Sequence, residues 1–267
     1  MNPLISEFSY GYALTEELAT LWRGTLRGAP VFPSLVDEGN IGGYDLELPV
    51  FGIPLFLQFK LSHYLKKSSA LEWSRWNRSY FRMYLRPLRH SRQHNLLLSW
   101  ERRGNEVYYA SPMFHEAGEL NDAYSMRRVV QSSVFFRPLD IGTLPDQGQH
   151  YVVFHPSDPM AYLYSVEPRP IRSIPGKHWQ EKVFFGAKER MTKVNPDMFK
   201  ELLASIEATL SDELPFWKRQ QEALLERFTR HDTKGLAAYV SYLARTYFDS
   251  QFILVSAWEQ RRQTVLA

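Results

Sequence analysis

Apolar and polar residues alternate along much of the first 175 residues, and this pattern predicts a series of β-strands. The most informative segment is residues 54–61, PLFLQFKL, which is apolar except for Gln58 and Lys60. Such a run indicates an interior strand of a mixed sheet. Because side chains of a strand alternate between its faces, Gln58 and Lys60 are predicted on one face and Phe59 on the other. Further strands are expected in YFRMYLRP, EVYYASPMF, SSVFFRPLDIG, QHYVVFHP and MAYLYSVEP.

Helical patterns occur throughout the chain and dominate its last third. A first helix is predicted for residues 7–23, with Ser6 as its N-cap, and shorter helices for 68–79, 94–103 and 116–129. The composition changes near Pro175, and three helical stretches follow the start signal Asn195-Pro196, at 197–210, 215–231 and 235–252. We expect a mixed α+β or α/β fold, with a domain of residues 1–175 and a helical C-terminal subdomain of residues 176–267 packed on it.

Three polar residues in residues 42–60 suggest chemistry. The turn Gly42-Gly43 leads into a strand that carries Asp45, and a hairpin then leads to the strand of Gln58 and Lys60. An acid, an amide and a lysine on adjacent strands can share one divalent metal ion and one water, as phosphodiester hydrolysis requires. The alternative is that these residues form the polar side of a half-buried hairpin. A buried lysine needs a partner, and Asp45 or a bound phosphate would be that partner.

The order of these motifs resembles the PD-(D/E)xK superfamily of restriction-endonuclease-like nucleases, in the branch that reads QxK. The resemblance rests on Ser6-Glu7-Phe8-Ser9-Tyr10-Gly11, Gly42-Gly43-Tyr44-Asp45 and Gln58-Phe59-Lys60, and it covers roughly residues 5 to 140. The stretches SEFSYGYAL, GGYD and LFLQFK also resemble nuclease-like domains of bacterial defence systems.

This resemblance implies a restriction-endonuclease-like mixed sheet flanked by helices, with a catalytic set of Glu7, Asp45, Gln58 and Lys60. Glu7, Asp45 and Gln58 would bind Mg²⁺ or Mn²⁺, and Lys60 would hold the attacking water. The chain departs from the family at Gln58, because an amide binds metal more weakly than the usual acid. Glu47, two residues after Asp45, is a candidate to compensate.

A basic stretch follows directly after the proposed catalytic strand. Residues 62–94 hold eight Lys or Arg against a single acid, Glu72, and aromatic residues are interleaved with them. This composition favours a channel for the phosphate backbone of a nucleic acid. The alternative is a solvated face on which arginine stems cover apolar surface. The predicted nucleic-acid-binding residues are Lys66, Lys67, Arg75, Arg78, Arg82 and Arg86.

Composition narrows the class of protein only in part. The chain has no cysteine, which excludes disulfides and thiolate metal sites. His90 and His94 have the spacing of zinc ligands on a helix, but no third ligand is evident. No apolar run approaches the ~20 residues of a membrane span, and the start of the sequence lacks the features of a signal peptide, so we expect a cytoplasmic protein with no membrane partner.

These patterns and the resemblance together predict a Mg²⁺-dependent endonuclease that cleaves DNA, and the resemblance implies a role in bacterial anti-phage or mobile-element defence. The alternative is a catalytically inactive, nuclease-like subunit that binds nucleic acid or another protein within a larger complex. Under the endonuclease hypothesis, the C-terminal helices would serve for homo-oligomerisation, for target recognition or for binding a partner protein that regulates the enzyme.

Overall fold

The structure is a computed structural model, and it describes residues 1–21, 51–145, 148–190, 192–225 and 233–255. The helices are α1 (Glu7–Leu21), α2 (Gln93–Arg102), α3 (Ala117–Ser125), α4 (Pro138–Ile141), α5 (Gly176–Arg190), α6 (Pro196–Glu213), α7 (Trp217–Leu225) and α8 (Thr233–Phe248). The strands are β1 (Phe51–Phe59), β2 (Ser62–Leu65), β3 (Tyr80–Leu85), β4 (Glu106–Pro112), β5 (Ser133–Phe136), β6 (His150–Phe154), β7 (Met160–Tyr164), β8 (Arg169–Arg172), β9 (Ile174–Pro175), β10 (Thr192–Lys193) and β11 (Gln251–Val255).

A mixed sheet forms the centre of the described chain. Its strand order is β10-β1-β4-β5-β9, and β11 pairs with β1 as well. The pair β1 and β4 is parallel, whereas the other pairs are antiparallel. Leu55, Phe56 and Leu57 pair with β4 on one side and with β11 on the other. The apolar run of β1 therefore lies in the interior of a mixed sheet, as its sequence predicts.

Helices cover both faces of this central sheet. On one face, Phe59 packs against Tyr10 of α1, with ring centroids 5.9 Å apart. On the other face, Phe56 packs against Trp100 of α2, with centroids 4.0 Å apart, and this core extends to α6 and α8. Each fully buried aromatic or aliphatic side chain contributes roughly 1.5–3 kcal/mol to stability. The alternation of faces along β1 thus fixes α1 on one side and α2 on the other.

A second sheet has the order β2-β3-β6-β7-β8, and all its neighbours are antiparallel. Its inner face joins the same core as Phe56, through residues such as Phe81, Met83 and Phe154. Its outer face carries Tyr84 and Tyr151, which pair directly across β3 and β6. The chain is thus a mixed α and β protein whose central sheet is flanked by helices.

Several predicted elements are confirmed. The Ser6 hydroxyl accepts a hydrogen bond from the Ser9 N–H at 3.0 Å, so Ser6 caps the first helix. Asn195 caps α6 in the same way, by accepting from the Met198 N–H at 2.9 Å. All five further strands that alternation predicts are present, although the third of these segments, SSVFFRPLDIG, forms a strand only over Ser133–Phe136 before α4 begins.

Other predictions about local structure are wrong. Residues 68–79 are not a helix, since only a single 3₁₀ turn is present at Trp73–Arg75. The last predicted helix does not continue to residue 252, because α8 ends at Phe248 and β11 begins at Gln251. The hairpin that was expected to bring Asp45 beside Gln58 falls partly outside the described residues. Both edges of Leu55 to Leu57 are nevertheless occupied by β4 and β11, so this part of β1 is not half of a hairpin.

The C-terminal third contains the predicted helices α6, α7 and α8. It also supplies β10 and β11, which pair with β1 in the central sheet. The division into domains of residues 1–175 and 176–267 stays a prediction.

Candidate functional site

A cavity of about 530 Å³ opens at the carboxyl end of β1. Lys60 is the first residue after that strand, and its backbone N–H continues the parallel pairing by donating to the Ala110 carbonyl oxygen at 3.0 Å. The carboxyl ends of parallel strands are the usual place for ligand sites in α/β sheets. The residues that line the cavity are Glu7, Lys60, Arg86, Ser91, Arg92, Gln93, Leu96, Leu214, Thr246, Tyr247 and Asp249.

Lys60 is the central cation of this cavity. Burial lowers the pKa of Lys60, the carboxylates of Glu7 and Asp249 oppose that effect, and the nearby Arg86 guanidinium adds to it. In the described part of the chain, Lys60 makes no ion pair within 4 Å. Its ammonium group is therefore partly desolvated and close to two acids without being committed to either.

Gln58 lies beside Lys60 and is almost fully buried, at 1% exposure. Its side-chain oxygen accepts a hydrogen bond from the Gln93 amide at 2.7 Å. Its amide nitrogen donates to an oxygen of the Asp249 carboxylate at 3.2 Å and to its neighbour Phe59's carbonyl oxygen at 3.1 Å. The Gln93 amide also donates to the same Asp249 oxygen, at 3.1 Å. The three side chains form a closed ring of hydrogen bonds that fixes the Asp249 carboxylate.

Asp249 is the site residue that the sequence did not suggest. It follows α8 directly and has a left-handed backbone conformation, with φ of 49°. Asp is one of the few residue types besides glycine that adopts this region with some frequency. Its second carboxylate oxygen lies 3.1 Å from the Arg245 guanidinium. The only signal for Asp249 in the sequence was its residue type. An acid directly before a strand cannot be distinguished by sequence from an exposed acid within a helix.

Glu7 reaches the cavity from the first turn of α1. The position of α1 depends on Gly11, one turn further along the helix. A Cβ atom at Gly11 would lie only 2.7 Å from the ring of Phe59, so glycine permits the close approach of α1 to β1. The Glu7 side chain is exposed, and its carboxylate is close enough to Lys60 to raise that residue's pKa.

The structure thus brings Glu7 and Lys60 to one cavity and connects Gln58 to it through Asp249. Asp45 and Glu47 lie outside the described residues. The catalytic and metal-binding roles of Glu7, Asp45, Gln58 and Lys60 stay predictions.

The donor groups of the cavity suit a magnesium ion that takes most of its ligands from substrate and water. Within the described residues, no group of three or more His, Asp or Glu side chains is close enough to form a metal cage. The cavity offers the two carboxylates of Glu7 and Asp249, which is the number that Mg²⁺ uses when substrate phosphates and waters complete its shell. The Gln58 oxygen already accepts one hydrogen bond and keeps one lone pair.

The predicted nucleic-acid-binding residues fall into different places. Lys66, Lys67 and Arg78 are exposed on the surface, and Arg86 lines the cavity. Arg75 stacks on Tyr162, and Arg82 stacks on Tyr151 and forms an ion pair with Glu72 at 3.4 Å. The basic stretch thus contributes residues both to the cavity and to the outer face of the second sheet. Its role in binding nucleic acid stays a prediction.

His94 is not a zinc ligand in this structure. Its Nε2 lies 2.7 Å from the Gly142 carbonyl oxygen, which can only accept, so Nε2 carries the proton. Its Nδ1 therefore accepts from the Tyr109 hydroxyl at 2.9 Å. Both ring nitrogens are committed to the protein interior.

Comparison of the chain with protein-family models, curated proteins and solved structures gives no match. No helix in the described part of the chain combines the length and apolar character that a membrane crossing requires.

Proposed function

We propose that the chain is a metal-dependent phosphodiesterase, an endonuclease acting on DNA, whose reaction centre is the cavity at the end of β1. The observation that carries this proposal is the position of Lys60, partly desolvated between the carboxylates of Glu7 and Asp249 at the carboxyl end of a strand. Arg86 and Arg92 line the same cavity, so among the described residues cations outnumber acids there by three to two. Such a site suits a phosphodiester with a hard cation.

Each side chain has a distinct task in this proposal. Glu7 and Asp249 hold Mg²⁺, which supplies Lewis-acid activation of the scissile phosphate when it is bound. Lys60 holds the attacking water and stabilises the negative charge that develops on the phosphate oxygens. Arg86 and Arg92 bind the neighbouring phosphates. Gln58 and Gln93 act on Asp249, since both donate to its carboxylate and keep it oriented.

The setting in bacterial defence follows from the resemblance of the motifs alone. Asp45 would add a third carboxylate to the metal site, as the resemblance implies.

A second candidate function is a catalytically inactive, nuclease-like subunit. The closed ring of Gln58, Gln93 and Asp249 favours it, because the amide of Gln58 already has its hydrogen bonds within the protein. In this case the cavity would bind a nucleic-acid phosphate or a partner protein without cleaving it.

Cleavage assays separate the two candidates. Supercoiled plasmid and labelled oligonucleotides are incubated with the purified chain in Mg²⁺, in Mn²⁺ and in EDTA. We expect cleavage only with a divalent metal, and a loss of about 10²–10³-fold in rate for Lys60→Ala and for Asp45→Ala. Lys200→Ala is the matched control, because Lys200 is exposed on α6 and pairs only with Asp197 among the described residues.

The outcome that contradicts the nuclease is a wild-type rate in both site variants, or cleavage that persists in EDTA. Absence of cleavage under all metal conditions, with DNA binding intact, would favour the inactive subunit instead. Thermal unfolding of each variant verifies that any loss of rate is not a loss of folding.

A further inference from the structure

A row of tyrosines crosses the outer face of the second sheet. Tyr84 of β3 pairs with Tyr151 of β6, and Tyr151 pairs with Tyr164 of β7. Residues in direct register lie on the same face of a sheet, so the three side chains project from one face. The ring centroids of Tyr84 and Tyr151 are 5.5 Å apart, and all three side chains are partly exposed. Aromatic rings placed in this way on a sheet offer flat surfaces to a ligand.

This face is also positively charged. The Arg82 guanidinium lies 4.4 Å from the centre of the Tyr151 ring, and Arg75 lies 4.0 Å from that of Tyr162 in the next row. Arg172, in register with Met160, is on the same side and exposed. The nearest acid, Glu72, is buried and already binds Arg82 and the Tyr80 hydroxyl.

A second acid near this face, Asp158, accepts hydrogen bonds from the Trp76 indole at 3.1 Å and the Met160 N–H at 2.9 Å. Glu167, between β7 and β8, is exposed. Rings and cations together, with Glu72 and Asp158 engaged inside the protein, are complementary to the bases and phosphates of a nucleic acid and not to an apolar or a basic partner.

The tyrosine row is connected to the cavity by a short stretch of chain. Arg86 is two residues beyond Tyr84, a span of at most about 7 Å, and its side chain lines the cavity next to Lys60. The tyrosine row and the cavity therefore share one short segment of chain, with Arg82 at the row and Arg86 at the cavity.

We propose that Tyr84, Tyr151 and Tyr164 form a stacking platform for unpaired nucleic-acid bases, and that the platform selects single-stranded over double-stranded nucleic acid. A base must be unstacked from its neighbours to lie against a protein ring, and a duplex keeps its base faces covered. Arg75, Arg82 and Arg172 bind the phosphates of the same strand. Delivery of that strand to the cavity rests on the proposed function, whereas binding to the platform does not.

Metal-free binding tests the platform. Anisotropy of a labelled 12-mer is measured in EDTA for single-stranded DNA, single-stranded RNA and duplex DNA of one sequence. We expect the single strands to bind more tightly than the duplex, with the DNA and RNA arms showing which sugar is preferred. Tyr151→Leu should lower single-strand affinity by roughly 5- to 150-fold. Tyr151→Phe should retain it, because the Tyr151 hydroxyl donates only to Gln149 among the described residues.

Tyr124→Leu is the control, since Tyr124 is exposed on α3, away from this sheet. A duplex that binds as tightly as the single strands, or full affinity in Tyr151→Leu, would overturn the inference. Should Tyr151→Leu fail to fold, as judged by thermal unfolding, the double variant Tyr84→Leu/Tyr164→Leu takes its place with the same expectation.

Binding and cleavage measured on the same wild-type preparation separate this inference from the proposed nuclease. Single-strand binding without any cleavage would retain the platform and reject the nuclease. Cleavage that the tyrosine variants leave unchanged would retain the nuclease and reject the platform.

Discussion

Two adjacent residues of α2 show two different uses of polar side chains in this molecule. His94 points into the core and has a fixed partner for each ring nitrogen, Tyr109 and the Gly142 carbonyl oxygen. Gln93 points into the cavity and connects Gln58 to Asp249. Both residues are polar and both lie on one helix. His94 belongs to a closed set of buried contacts, which also includes Glu101, whereas Gln93 belongs to an open set that borders the cavity, with Gln58, Asp249 and Lys60.

The closed set holds α4 in place. The Glu101 carboxylate, which is buried, accepts from the Leu139 N–H at 2.6 Å in the first turn of α4 and pairs with Arg137. His94 donates to Gly142, directly after the last turn. The side chains of α2 therefore bind both ends of this four-residue helix, which is too short to be stable alone.

The open set is arranged around a cation. Lys60 has no fixed ion pair in the described part of the chain, and the carboxylate beside it is held by two amides. A set of polar groups whose hydrogen bonds are all made inside the protein is typical of a structural role. A desolvated cation next to oriented acids is typical of a ligand-binding site.

The largest expected effects come from replacing one acid of each set by its amide. Glu101→Gln removes the charge that Arg137 pairs with and leaves a poorer acceptor for Leu139, so we expect a loss of about 3 kcal/mol in the free energy of unfolding. Urea unfolding measures it. DNA cleavage, where present, should stay at the wild-type rate.

Asp249→Asn is the opposite case. The change removes a metal-binding carboxylate and should lower the cleavage rate by about 10–100-fold, with a change in the free energy of unfolding below about 1 kcal/mol. If Asp249→Asn unfolds the protein and Glu101→Gln abolishes cleavage, the two sets have been assigned the wrong way round.

The pH dependence of stability should report His94. Burial lowers the pKa of His94 to about 4, against about 6.5 for the unfolded chain. The unfolded state therefore binds the proton more readily, and stability is lost as the pH falls from 6.5 to about 4, by up to about 3 kcal/mol.

The variant His94→Gln isolates this contribution, because the other histidines titrate alike in both proteins. Urea unfolding at several pH values should show a shallower decline for the variant than for the wild type below pH 6.5. Equal slopes would mean that His94 is protonated without opposition in the folded state.

Gln58→Glu tests the open set more gently. The new carboxylate would face the Asp249 carboxylate at the 3.2 Å of the present hydrogen bond, so we expect a loss of about 1–3 kcal/mol in EDTA. This corresponds to a fall of about 2–4 °C in Tm for each kcal/mol. Added Mg²⁺ should restore Tm, because a cation between two carboxylates removes their repulsion.

The uncharged variant Gln58→Leu is the comparison for that experiment. It should lose stability in EDTA as well, since Gln93 and Asp249 lose a partner, but Mg²⁺ should not restore it. If Mg²⁺ has no effect on Gln58→Glu either, this part of the cavity does not bind metal.

The smallest effect concerns the arginines of the basic stretch. Arg75→Gln should flatten the salt dependence of single-strand binding by about 0.7 units of slope, the value for one lost phosphate contact. Arg82→Gln should flatten it less and destabilise the fold, because Arg82 is already paired with the buried Glu72. Equal slopes for both variants would contradict this division.

Much of the fold could be predicted because its signals are local. The alternation in residues 54–61 is confirmed by β1, with Phe59 on one face and Gln58 on the other. The caps of α1 and α6 were readable because Ser6 and Asn195 bond to residues only three positions away.

The rest could not be predicted because it depends on distant partners. Residues 235–252 have apolar residues at helical spacing, and no glycine or proline marks the end of α8 at Phe248. The helix ends where Asp249 turns left-handed and Gln251 pairs with Leu57 of β1. Residues 68–79 do not form a helix because aromatic residues of this segment pack on the second sheet, as Trp76 packs on Tyr80 of β3.

The place of Asp249 also sets the order in which the cavity can be completed during synthesis. Gln58 and Asp249 are 191 residues apart in the chain. Strand β11, which follows Asp249, pairs with β1, the strand of the central sheet that comes first in the chain. A ribosome-bound chain that already displays Glu7, Lys60 and the basic stretch still lacks this carboxylate and the neighbouring strand. A nascent or prematurely truncated polypeptide that stops before residue 249 would therefore have the proposed nucleic-acid surface without the complete proposed reaction centre.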